Sequence, residues 1–371
     1  MTVLAALAVA VWLYLLLAHG RFWQAGPMLQ ADRPVDAPAV AVVVPARNEA
    51  PVIERALRSL LSQDYPGPFR VILIDDNSTD PTSAIARGIG NPRLEIVAGA
   101  PRPAGWSGKL WAVSQGLSRA GDAEFCLLTD ADIVHAPQHL STLVAQAQRT
   151  NLDMVSEMVA LACDSSAERA LVPAFVFFFQ LLYPFARVND SLHATAAAAG
   201  GTILIRRRAL ARIGGMEAVR GALIDDVALA AAVKKGGRIW LGHSLLARSI
   251  RPYPKVADIW RMITRSAYVQ LRFSPLLLVA TTLGMALIWL VPPAAALFAH
   301  GAARWLGLLA WIMLAASYLP TLQRFGRSVA WAPFLPLVAA FYMAGTIGSA
   351  VNHHLGRGVA WKGRAYQDLT G

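Results

Sequence analysis

Charge is scarce in this chain. Only 15% of its 371 residues are Asp, Glu, Lys or Arg, while 56% are apolar; an ordinary soluble domain carries about 25% charged residues. That ratio argues against an ordinary cytosolic enzyme. Disorder is excluded too, because so much apolar surface must be buried. Cysteine is nearly absent. Cys126 and Cys163 are the only two and have no CxxC spacing, so neither a disulfide framework nor a cysteine-based zinc site is supported. Both read as buried, reduced thiols. No GxGxxG and no GxxxxGKS/T occurs, which removes the dinucleotide fingerprint and the P-loop. No basic run is interleaved with aromatics, so nucleic acid is not an expected partner. Eleven Trp and 22 Pro argue against a simple coiled coil. In so apolar a chain the net charge of +11 points to anionic lipid or phosphates.

The apolar residues are concentrated. Residues 1–20 carry no formal charge and end at Arg21. No basic residue precedes them, so the run reads as an uncleaved transmembrane anchor, not a signal peptide. The positive-inside rule puts Arg21 and Arg33 in the cytoplasm and Met1 outside. Residues 276–299, 305–322 and 328–351 are also uncharged, each able to cross a core of roughly 30 Å, the second only just. Three full crossings leave the tail, with Arg357, Lys362 and Arg364, on the far side from the positive-inside expectation. Pro333, Pro336, Gly345 and Gly348 make 328–351 the candidate for a re-entrant segment. Residues 170–186 form another apolar run, either a buried core helix or an interfacial helix on the bilayer.

Between 39 and 250 the pattern changes. Val40–Val44, Val71–Ile74, Leu94–Val97 and Phe125–Leu128 read as strands. Arg55–Gln63 and Pro137–Arg149 read as helices. Such alternation predicts βαβ units and a mainly parallel sheet. Ligands of such sheets lie beyond the carboxyl ends of the strands. There the chain reads Pro45-Ala46-Arg47-Asn48-Glu49, then Asp75-Asp76-Asn77-Ser78-Thr79-Asp80, then Thr129-Asp130-Ala131-Asp132. An Asp-x-Asp pair at a strand end suits a hard divalent cation, Mg²⁺ or Mn²⁺, which in turn holds a diphosphate. Taken singly, each cluster is also explained by turn chemistry, a helix cap or a solvated loop. All three fall on one edge of one predicted sheet.

These residues resemble glycosyltransferase family 2, whose fold is called GT-A. PARNEA, ILIDDNSTD and LLTDADI look like its first strand end, its nucleoside-binding turn and its metal-binding motif. Gly200-Gly201-Thr202, with Arg206 and Gly214-Gly215, is similar to the acceptor-side glycine segment. Ile224-Asp225-Asp226 resembles the ED motif, with Asp where Glu is usual. Gly105–Trp111, Phe175–Asn189, Arg220–Asp226, Ser249–Tyr253 and Ile259–Ser274 look, more narrowly, like the hopene-associated glycosyltransferases of hopanoid-producing bacteria. The processive synthases' QxxRW is missing. Met262-Ile263-Thr264-Arg265-Ser266 keeps only the Arg, which favours transfer of one sugar.

The resemblance implies an inverting, metal-dependent enzyme of the bacterial cytoplasmic membrane, multi-pass, with its catalytic domain in the cytoplasm. It implies a nucleotide-sugar donor, a UDP-sugar first among them, and a lipid acceptor, a hopanoid or a prenyl phosphate. Asp226 is the expected base and Asp225 its neighbour; carboxylates at a helix start also serve simply as dipole partners. Asp132 is the metal ligand. Pro45, Ala46, Arg47, Glu49, Asp76, Lys109, Asp130 and Arg265 are expected at the donor, Gly200 and Gly201 at the acceptor. Lys109 alternatively is a solvated charge, and Arg265 part of a juxtamembrane basic helix. The expected organisation is an anchor (1–20), a linker (21–38), the GT-A domain (39–250), an interfacial amphipathic helix (251–275), about three transmembrane helices (276–351) and a basic tail (352–371). A polysaccharide synthase and a non-catalytic membrane scaffold are the competing expectations.

Overall fold

The computed structural model describes residues 1–356 together with Ala360–Trp361 and Arg364–Ala365. Most of the tail expected at 352–371, including Arg357 and Lys362, lies outside the described residues. The chain divides into two compact units. A sheet unit holds Pro27–Ala162 and Arg187–Pro252. A helical unit holds Met1–Gly26, Cys163–Ala186 and Tyr253–Ala360.

The sheet unit has eight strands: β1 (Val40–Ala46), β2 (Phe69–Asp75), β3 (Leu94–Ala98), β4 (Phe125–Thr129), β5 (Ile133–His135), β6 (Met154–Ala160), β7 (Thr202–Arg206) and β8 (Ile239–Ser249). Their order is β3-β2-β1-β4-β7-β6-β8-β5. β1 pairs parallel with β2 and β4, and β2 with β3. The Val/Ile/Leu runs of β1, β2 and β4 read as near-continuous apolar stretches because the sheet there is covered on both faces; every residue of β1 is buried. Helix Ile53–Leu61 contributes Ile53, Ala56, Leu57 and Leu60 to that cover. Helix Gly108–Ser118 opens at Ser107, whose hydroxyl accepts the Leu110 N–H. Its Gly116 is required by close approach, since a Cβ there would lie 2.3 Å from Val43 Cγ1.

The sheet is mainly parallel, as the sequence pattern suggested, with β5 and β7 reversed. β7 runs antiparallel to both β4 and β6, and β5 antiparallel to β8. The reversal of β7 has a consequence for the site. Thr129, the last residue of β4, pairs with Thr202, the first of β7. Gly200 and Gly201 therefore arrive at the same edge as the carboxyl ends of β1, β2 and β4. β8 runs parallel to β6, so its carboxyl end reaches this edge as well.

Among the described residues, the helical unit contains three helices long and apolar enough to cross a membrane: Pro275–Phe298, Gly301–Arg324 and Val329–His354. Their outer faces expose Leu276, Leu283, Leu297, Trp305, Ile312 and Leu337, a spread of apolar surface that water does not favour. Val329–His354 runs on without reversing. Its Gly345 and Gly348, which suggested a break, are close-approach positions instead: added Cβ atoms would lie 2.8 Å from Ile263 and 2.9 Å from Trp260. The amphipathic helix is Val256–Gln270. It buries Ile259, Ile263, Thr264 and Tyr268, and Ser349 ties it down by accepting the Tyr268 N–H at 3.0 Å and donating to Thr264 O at 2.6 Å. The N-terminal helix, Thr2–Leu17, has 16 residues. At 1.5 Å per residue it is about 24 Å long, short of a core of roughly 30 Å.

The apolar run at 170–186 is the buried helix of its two alternatives. Helix Ser166–Leu182 seats Phe177 against Tyr318 and Phe22, and Phe178 against Tyr342 and Trp289, edge to face at 5.0–5.4 Å. Its start is a capping box in which Ser165 and Glu168 satisfy each other's backbone. Glu168 accepts the Tyr253 N–H too. Although burial opposes it, those hydrogen bonds hold the Glu168 carboxyl below its ordinary range.

Candidate active site

The loops after β1 and β2 are sewn together by side chains. Asn48 N–H reaches Ser78 Oγ, Glu49 N–H reaches Thr82 Oγ1, Ala50 N–H reaches Asp80, and Thr79 N–H reaches the Asn48 side chain, all within 3.1 Å. Asn48 and Asn77 take left-handed backbone, φ 52° and 54°, which Asn tolerates. Asp75 and Asp80 do turn chemistry here, Asp75 accepting Ser78 N–H and Asp80 accepting Thr82 N–H. Asp76 is buried, and Arg47 clamps its carbonyl and that of Asn77. Pro45 and Ala46 close β1 beside them.

The second part of the site is a small pocket lined by Pro45, Lys109, Thr129, Asp130, Gly200, Asp225 and Asp226, with Leu110, Val113 and Leu229 at its apolar wall. Lys109 Nζ lies 2.9 Å from Asp130 and 3.3 Å from Asp225. Burial works against its charge, but those carboxylates outweigh burial and raise its pKa. Burial raises Asp130 as well, in spite of Lys109. Asp225 and Asp226 open helix Asp225–Lys234, where the helix dipole favours anions. Asp226 nonetheless rises to about 7, because burial and the adjacent Asp225 outweigh Lys109 and the hydrogen bonds from Val227 and Gly200. The Gly200 N–H donates to Asp226 at 2.8 Å. A Cβ at Gly200 would stand 3.2 Å from that carboxylate and 3.4 Å from Lys109 Nζ, so glycine permits the approach. Gly201 sits behind it and accepts the Thr129 hydroxyl at 2.8 Å. Trp106 is buried, with its ring edge to face against Trp111.

Asp132 is engaged by Arg251, whose Nε donates to it at 2.8 Å while its outer nitrogen donates to both oxygens of Glu49 at 2.7–2.8 Å. Burial opposes the guanidinium charge, and Asp132 and Glu49 more than restore it. From the sequence alone Arg251 has no role of its own, only a place at the start of the expected interfacial helix. It follows the carboxyl end of a strand, so the rule that found the other clusters also covers it, once β8 is known to run toward this edge.

A buried relay behind the Asp130–Asp132 loop has no sequence signature. Thr129 gives its hydroxyl to Gly201 O, so it accepts from His135 Nε2 at 3.1 Å; His135 Nδ1 then accepts from His139 Nδ1 at 2.8 Å. His139 Nε2 meets Glu157 at 2.6 Å, both side chains wholly buried. Burial and His139 hold His135 neutral by pushing its pKa well down. The relay pins both flanks of the loop that carries Asp130 and Asp132. Arg265 is an exposed residue of helix Val256–Gln270 in the helical unit, apart in that division from the other site residues.

The donor set fits a hard divalent cation. Asp130 and Asp132 offer two carboxylates on one loop. Among the described residues no group of three or more His, Cys, Asp or Glu forms a ready-made cage. Mg²⁺ and similar ions commonly use one or two protein carboxylates and take their other ligands from substrate phosphates.

A parallel sheet half continued by an antiparallel strand, with acidic residues gathered at one edge, is the GT-A type of α/β fold. Residues 41–214, just under half of the chain, match the family described as glycosyl transferase family 2. Over 181 residues the chain is 29% identical to beta-monoglucosyldiacylglycerol synthase of Nostoc sp., covering 48% of this chain and 38% of that protein. It is 35% identical over 95 residues to 4,4'-diaponeurosporenoate glycosyltransferase of Staphylococcus aureus, covering 26% of this chain and 24% of that one. These matches span well under half the length of either relative. Among solved structures, the mannosyltransferase PcManGT of Pyrobaculum calidifontis, in complex with GDP-Man and Mn²⁺, superposes with a TM-score of 0.55 at 22% identity, covering 96% of this chain and 99% of that one. Residues 41–214 of the sheet unit are thus similar to a family 2 glycosyltransferase domain.

Proposed function

We propose that this chain transfers one sugar from a nucleoside diphosphate sugar to a hydroxyl of a membrane lipid, with inversion. The observation that carries the reading is Asp226: a carboxylate in a pocket, beside a fixed cation and a glycine backbone, titrating near 7. A base that works at neutral pH needs that affinity for a proton. Its partner at the leaving group is Lys109, a permanent positive charge between Asp130 and Asp225. The acceptor oxygen forms a bond to the anomeric carbon while the bond from that carbon to the diphosphate breaks. The proton goes to Asp226. Asp132, with Asp130, would hold a divalent cation that neutralises charge on the departing diphosphate. The stitched loops carrying Ala46, Arg47, Glu49 and Asp76 take the nucleoside.

Three long apolar helices and relatives named for diacylglycerol and diaponeurosporenoate support a lipid acceptor. A prenyl phosphate is already ionised and needs no base, so Asp226 favours a hydroxyl-bearing lipid, of which a hopanoid is the one the sequence resemblance implies. Nucleotide sugars are water-soluble, which suits a sheet unit on the cytoplasmic side of a multi-pass membrane protein. The test is nucleoside diphosphate release by the full chain in detergent, with a panel of nucleotide sugars, bacterial lipid extract, and Mn²⁺, Mg²⁺ or EDTA. Cation-dependent release of one diphosphate, lost in Asp226→Asn, is expected. Release by Asp226→Asn at the wild-type rate would refute the assignment of the base.

A further inference from the structure

The sequence singled out Asp132 for a cation, yet its carboxylate already holds one that belongs to the chain. Arg251 Nε sits 2.8 Å from Asp132 Oδ2, and Ser249 Oγ donates to the same oxygen at 3.3 Å. A divalent ion would bind that oxygen at about 2.1 Å and would repel a guanidinium so close to it. Arg251 has somewhere to retreat. Its outer nitrogen makes two bonds to Glu49, a carboxylate 7% exposed, and such charge-assisted pairs are the strong ones. The backbone need not follow, because the Ile250 N–H is fixed to Asp132 O at 2.9 Å. Yielding Asp132 costs Arg251 one hydrogen bond and a small swing toward Glu49.

We propose that Arg251 is the resident counter-ion of the cation site: it pairs with Asp132 while the site lacks donor, and gives Asp132 up to the divalent ion. This rests on the cation site proposed above. Asp132 is then never left as an unpaired, mostly buried carboxylate. Cation binding is weak until a donor diphosphate supplies further ligands, so ion and donor enter together. Glu49 serves as the dock that keeps Arg251 at hand for the next cycle.

The experiment measures Mn²⁺ binding to the full chain in detergent, without donor, from the electron paramagnetic resonance signal of free Mn²⁺. Removing the competitor has an unusual sign. Arg251→Gln is expected to bind Mn²⁺ roughly fivefold more tightly, the scale of one charged hydrogen bond discounted for a side chain that is one-third exposed. Arg251→Lys keeps the charge but not the fork, so it should gain about twofold, and it serves if Arg251→Gln does not fold. Asp132→Asn should abolish the site in every background. If wild type binds through Asp132 and the Arg251 variants bind equally or more weakly, the counter-ion role is wrong and the cation site stands. If wild type shows no binding that depends on Asp132, both fall.

Discussion

Asp225→Asn isolates the electrostatics of the candidate base. Asp225 and Asp226 are adjacent on one helix turn, and Asp225 is one of the groups that raise Asp226. Two unit charges on the order of 6 Å apart at an effective dielectric of about 20 repel by roughly 2–3 kcal/mol. Asp225 is about a quarter exposed, so solvent cuts this to about half, which corresponds to about one pKa unit. The substitution also leaves Lys109 less divided between carboxylates, which lowers Asp226 further. Burial, the larger cause, is unchanged, so Asp226 stays above an ordinary carboxylate. In wild type, activity requires the deprotonated base and therefore rises with pH through about 7. In Asp225→Asn that rise moves down by about one unit. The assay is kcat/KM for diphosphate release from pH 5 to 9, with thermal unfolding to confirm the fold. A rise that stays in place, or moves up, would show that Asp226 is not the group whose ionisation limits turnover.

Lys109→Met has the opposite sign: without its attraction the same rise moves above 7, and the rate falls by roughly tenfold or more as the leaving group loses its fixed cation; a rise moved downward contradicts the placement of Lys109. Asp226→Asn makes stability depend on pH in a set direction. Folded Asp226 binds its proton at about 7 against 3.8 for an ordinary carboxyl, so wild type loses stability as pH rises from about 4 to 7 and the variant does not. The melting temperature of Asp226→Asn should gain on wild type by roughly 2–4 °C between pH 5 and 8, about 2 kcal/mol after discounting for solvent. Glu157→Ala strands a fully buried His139 and should cost about 3 kcal/mol, read by thermal unfolding, with Glu157→Gln costing much less because the amide can still bond the imidazole. Gly116→Ala should destabilise by about 1–3 kcal/mol through its clash with Val43, without moving the pH profile.

Much of the site is local enough to be legible in one dimension. Strand ends carry ligands in an α/β sheet, so PARNE, DDNSTD and TDAD could be found from the apolar runs that precede them. Helices long and apolar enough to cross a membrane are legible because hydrocarbon tolerates almost no charge. The sequence could also place Asp225 and Asp226 at a helix start, since their neighbours set that local pattern. It could not say that β7 runs antiparallel. Strand direction depends on pairing between residues far apart, Thr129 with Thr202, and that pairing delivers Gly200 to Asp226. Nor could it choose between a core and an interfacial role for residues 170–186, because periodicity describes a face without its partner. The proton affinity of Asp226 comes from burial and from Asp225, set against a lysine more than a hundred positions away; Arg251 meets Glu49 across 202 residues. Composition and spacing determined which chemistry was available to this chain. The tertiary structure alone decided which charges face each other, because Coulomb energy and desolvation depend on distance in space and not along the chain.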